Sequence, residues 1–169
     1  MNTDIFKPEQ WHDFFVMVGG GAAALAGLVF VAMSVNLTTI AQDLTHKNRA
    51  VATLMGFTAV FMICAFALIG DQNYQWIGVE WLVVSLVPTI TYIRVYIKAR
   101  KMGRSSVGLS TGRFIQGTTC YIAQIIGSGL LISGHVAGLY VASVAMVLSF
   151  AFFISGAWLL LIGVYEKQQ

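Results

Sequence analysis

Charged residues leave long gaps in this chain. There are 29 residues without Asp, Glu, Lys or Arg from Phe14 to Gln42, 21 from Ala50 to Gly70, and 52 from Phe114 to Tyr165. A helix crosses the hydrocarbon core of a bilayer in about 20 residues, so the first two runs each suit one crossing and the third suits two. A break within the third run falls at Ser133-Gly134-His135, where glycine and polar groups can turn the chain. Another span is expected from Tyr74 to Ile97, carrying Glu80 near its start, Pro88 in its middle and Arg94 near its end. No segment alternates apolar and polar residues strictly between turn signals, so a transmembrane β-barrel is not supported.

The expected fold is therefore all-α: one transmembrane domain over residues 1–169, a bundle of five helices spanning about 14–42, 50–70, 74–97, 114–132 and 136–165. Composition agrees. Only 10% of the residues are charged, 57% are apolar, and the mean hydropathy is +0.77. A soluble domain carries about 25% charged residues to keep its surface wet, so lipid is the solvent expected here. The leader before the first run holds Asp4, Glu9 and Asp13 against a single Lys7. A signal peptide needs a basic leader and a shorter apolar core, so the first run is read as a retained helix.

Charge placement gives the orientation. With five spans, nine of the ten Lys and Arg residues fall on one side and only Lys7 on the other. Basic residues stay cytoplasmic during insertion, which puts the N-terminus outside and the C-terminus in the cytoplasm. Trp11, Tyr74, Trp76 and Trp81 then collect at the outer ends of helices, as an interfacial aromatic belt does. The two cysteines, Cys64 and Cys120, belong to no CxxC pair. Their distances from flanking arginines place them roughly 12 Å apart in depth, so both are expected as free thiols.

Small residues recur at helical spacing. Ala142, Ser149, Gly156 and Gly163 follow one another every seven residues; Gly117 and Gly127 lie on a matching stripe in the fourth helix; Gly19, Ala23 and Gly27 step by four in the first. Small side chains let helices approach closely in lipid. These stripes can pack the bundle internally, or one of them can form an oligomer interface or line a pore.

Polar groups inside the spans are few. Asn36 in the first helix, Glu80 in the third and Gln124 in the fourth are candidate pore-lining residues, because amides and carboxylates in lipid must face protein or water. Ser85, Thr89, Tyr92 and Tyr96 add a polar stripe beside the kink expected at Pro88. His12, Asp13, Asp71, Glu80 and His135 all fall at the outer face and form a candidate cluster there. Its only close spacing is His12-Asp13, and neighbours on a helix do not face one site, so no metal is expected. Lys98, Arg100, Lys101 and Arg104 make a basic cytoplasmic segment suited to anionic lipid headgroups. Nothing resembles a nucleic-acid-binding module, a triad, an HExxH sequence or a phosphate loop, so neither an enzyme nor a cofactor is expected.

The stretch Trp11–Leu37, WHDFFVMVGGGAAALAGLVFVAMSVNL, resembles the opening of small bacterial multi-span inner-membrane proteins with no established activity. That resemblance implies a bacterial inner-membrane location and carries over no functional residue. The residues themselves favour a small homo-oligomeric channel or permeation protein for ions or small solutes. The alternative is a non-transporting accessory subunit or regulator of a larger membrane complex, with the same faces docking foreign helices.

Overall fold

The computed structural model describes residues 8–35, 44–70, 72–101 and 111–165. Five helices account for nearly all of them: α1 (Pro8–Val35), α2 (Leu44–Ala67), α3 (Tyr74–Lys101), α4 (Thr111–Ile132) and α5 (Ala137–Tyr165). All five are long and apolar enough to cross a membrane. Their bounds differ from the uncharged runs. α1 begins at Pro8 and takes in Trp11, His12 and Asp13, α2 takes in Lys47 and Arg49, and α3 runs on to Lys101. Charge limits how far a helix stays in hydrocarbon; it does not break the i→i−4 ladder, so helices continue through their polar flanks. α2 stops short of Gly70, at Ala67, and Leu68–Gly70 turn towards α3.

Local chemistry sets the ends. Asn73 precedes α3, its carbonyl accepting from Trp76 and Ile77 N–H and its side chain from Gln75 N–H at 3.4 Å. That is the role of an N-capping residue. α4 closes on Gly134, whose φ of 80° lies in the left-handed region. There Gly134 N–H donates to Leu131 O and His135 N–H to Leu130 O, both at 2.9 Å, which satisfies carbonyls the helix end would leave bare.

α2, α3, α4 and α5 each pack on the next, and α5 returns to α2, closing a four-helix ring. α1 lies outside that ring, along α2 and lightly against α5. Glycines set the closest approaches. A Cβ on Gly127 would lie 2.9 Å from Ala142 Cβ and from Gly138 O, and a Cβ on Gly78 would lie 2.9 Å from Leu131 Cβ. Gly56 leaves room for the Phe153 ring, and Gly117 for Tyr92 and Phe152.

Trp81 corrects the expectation of an interfacial belt. It is fully buried, its indole N–H donates to Ile63 O at 3.0 Å, and its ring meets Phe15 edge-on at 5.8 Å. Depth alone suggested headgroups, but Trp81 lies on the seam Gly78, Trp81, Ser85, Pro88, with four buried residues spaced three and four apart. Trp76, by contrast, is 67% exposed. Towards the opposite end of the bundle a second aromatic layer joins Phe57 to Phe150 and Phe153, and Tyr92 to Tyr121 and Phe152. Outside these layers the helices present apolar side chains such as Met17, Leu28, Phe30 and Trp158.

Candidate functional site

The antiparallel register of α4 against α3 and α5 places the polar side chains. Gly78 meets Leu131, and Gly117 meets Tyr92. Between these contacts, Trp81 falls opposite Ser128, Ser85 opposite Gln124 and Pro88 opposite Tyr121. On the α5 side Gly127 meets Ala142 and Gly117 meets Phe152, so Gln124 falls opposite Ala145. Gln124 is thus enclosed within the chain, only 7% exposed, at the level of the small side chains Ser85 and Ala145. Its Nε2 has no hydrogen-bond partner among the described residues, and neither has the buried Ser85 Oγ. Ser128 Oγ donates to Gln124 O at 2.9 Å, an ordinary back-bond along the helix.

Glu80 is half-buried in the second turn of α3. Gln72 Nε2 donates to its Oε1 at 3.2 Å, while Glu80 Oε2 and Gln72 Oε1 are buried without partners among the described residues. His12, Asp13 and His135 share this end of the bundle but are exposed. No three or more His, Cys, Asp or Glu side chains among the described residues gather closely enough to hold a metal. Asn36, Asp71 and Arg104 lie outside the described residues, as do the side chains of Lys98, Arg100 and Lys101.

The small-residue positions divide between two surroundings. Gly117, Gly127 and Ala142 are buried in contacts between helices of the same chain, and Gly156 is buried as well. Ser149 is half-buried; its hydroxyl donates to Ala145 O at 2.7 Å and lies within reach of the Cys120 thiol. Gly163 is in α5, beyond the positions whose surroundings are described. Of the α1 stripe only Gly19 packs, 3.0 Å from Cys64 Cβ by the position of an added Cβ, while Ala23 and Gly27 are exposed. The buried face of α1 is Phe15, Val18, Ala22 and Val29. A step of four advances about 400° around a helix, so the stripe that starts at Gly19 turns away from α2. The middle of the opposite face is also small: Gly20, Ala23, Ala24 and Gly27 are all exposed, with Val16 and Val31 exposed on the turns to either side, and an added Cβ on Gly20 or Gly27 would meet nothing within 4 Å.

Both cysteines are free and buried. Sequence reasoning did not anticipate Trp81 in the core or Gln72 beside Glu80. For Trp81 the signal was present, in the three-and-four spacing it shares with Gly78, Ser85 and Pro88. A cleft of about 130 Å³ between α1, α2 and α5 is lined by Leu25, Leu28, Val29, Phe57, Ile154 and Ala157 and offers no polar side chain to a hydrated solute. No protein-family model matches the chain, and no curated protein or solved structure is significantly similar to it.

Proposed function

We propose that the chain is a non-transporting accessory subunit of a larger membrane complex, inserted with its N-terminus outside and its C-terminus in the cytoplasm of a bacterial inner membrane. It docks a partner's transmembrane helix on the open face of α1. One observation carries this reading: Gly117 and Gly127 of α4, Ala142 and Gly156 of α5 and the amide of Gln124 are enclosed within the chain, whereas Gly20, Ala23, Ala24 and Gly27 of α1 are open. In lipid, close backbone approach is a main source of helix association, so a free small-residue face suits a second helix better than it suits acyl chains. The basic residues Lys98, Arg100, Lys101 and Arg104 would hold anionic headgroups at the cytoplasmic side.

A channel requires polar groups along a continuous path. Gln124 lies between apolar and aromatic layers, with Trp81 and Leu131 fully buried on one side of it and Phe57 on the other. A homo-oligomeric pore would have to be lined by faces other than the one bearing Gln124. The test is flux together with docking. Vesicles containing the purified protein should be as tight to small cations, anions and neutral solutes as empty ones. Gly27→Leu should abolish association with the partner while the isolated chain keeps its stability. Flux above empty vesicles that falls with Gln124→Leu would replace this reading with the channel.

A further inference from the structure

We infer that the seam between α3 and α4 contains a binding site for one water molecule, held between Ser85 Oγ and Gln124 Nε2 at the middle of the bundle. Ser85 is 2% exposed and Gln124 7%, and neither Ser85 Oγ nor Gln124 Nε2 has a hydrogen-bond partner among the described residues. The register fixed by Gly78 against Leu131 and by Gly117 against Tyr92 puts them at the same level on facing helices. A buried polar group with no partner is costly, and two such groups on one level that are not hydrogen-bonded to each other are what a bridging water satisfies.

The surroundings supply small neighbours and a third partner. The side chains flanking Gln124 at this level, Ser85 and Ala145, are small. Pro88 lies one turn along α3 and has no N–H, which withdraws the donor that Val84 O would meet in an unbroken helix. Val84 O therefore joins Ser85 Oγ as an acceptor on the same turn. The adjacent carbonyl, Ser85 O, is already supplied by Thr89 Oγ1 at 2.6 Å. A water here accepts from Gln124 Nε2 and donates to Ser85 Oγ and Val84 O. That gives it three hydrogen bonds, the usual complement of a buried water. The site is closed along the bundle axis by Trp81 and Leu131 on one side and the Phe57 layer on the other, so it holds a resident water and not a file of them.

The site is independent of docking on α1, and its test can fail without touching that proposal. Crystals grown from lipid, at a resolution that shows ordered water, should contain a peak within about 3.2 Å of both Ser85 Oγ and Gln124 Nε2. A direct Ser85–Gln124 hydrogen bond, or the two side chains in contact with no peak between them, overturns the inference. So does a continuous row of peaks reaching either end of the bundle. The energetic counterpart is a double-mutant cycle. Ser85→Ala and Gln124→Leu should each lower the folding equilibrium constant about tenfold, and the double variant should also lose only about tenfold in all, not a hundredfold, because both remove the same bridged contact. Additive losses overturn the shared site.

Discussion

Replacing Trp81 tests the packing of the bundle most sharply, because the two possible environments of this residue differ several-fold in energy. It is fully buried, it contacts Phe15 of α1, and its indole N–H reaches Ile63 O of α2. Trp81→Phe removes that hydrogen bond, worth about 0.5–1.5 kcal/mol net. It also leaves a void of roughly 40 Å³, which at about 24 cal/mol per Å³ costs another ~1 kcal/mol. The sum is about 1.5–2.5 kcal/mol, and Trp81→Ala should cost about 3–5 kcal/mol. An indole lying among headgroups would change stability by no more than about 0.5 kcal/mol. Equilibrium unfolding in mixed micelles, followed by far-ultraviolet circular dichroism, measures the difference. In a variant with Trp11, Trp76 and Trp158 changed to Phe, the remaining indole should emit at short wavelength and resist quenching by aqueous iodide. A Trp81→Phe loss below about 0.5 kcal/mol would refute the core placement.

Three further outcomes follow from the close contacts and turns. Gly127→Val should destabilise the bundle by about 1–3 kcal/mol in the same unfolding assay, because its side chain would collide with Ala142 and the Gly138 backbone. Gly134→Ala should cost about 1–2 kcal/mol, since φ at 134 is 80°, and it should shift only stability and not the far-ultraviolet spectrum. Ala23→Leu, on the open face of α1, should leave the stability of the isolated chain within about 0.5 kcal/mol; a larger loss would mean that this face is packed.

The number of helices was legible because charge is largely excluded from hydrocarbon: two uncharged gaps each measure one span, the 52-residue gap divides at Gly134, and the third span tolerates Glu80 and Arg94 only near its ends. Which face each helix buries was legible only where a repeat stayed near 3.5 residues. Ala142, Ser149 and Gly156 keep that repeat and remain on inward-facing positions. Gly19, Ala23 and Gly27 step by four and rotate off α2. Trp81 was misread because belt statistics refer to depth, and depth does not say whether a ring points outward or inward. Gln124 could be recognised from sequence as an amide that must avoid lipid, but the sequence alone could not choose between a neighbouring helix of the same chain and a pore. The register of α3 and α5 on α4, set by glycine contacts between helices far apart in the chain, places that amide inside the chain.

If a partner helix docks on the open face of α1, a photo-crosslinking side chain placed at Ala23 in native membranes will capture it. One discrete adduct with a second, different membrane protein is expected. This adduct should be lost when Gly27→Leu is added, and a crosslinker at the buried Ala142 should give no intermolecular adduct. Adducts at Ala23 only with lipid, or only with another copy of the same chain, would contradict docking of a partner helix.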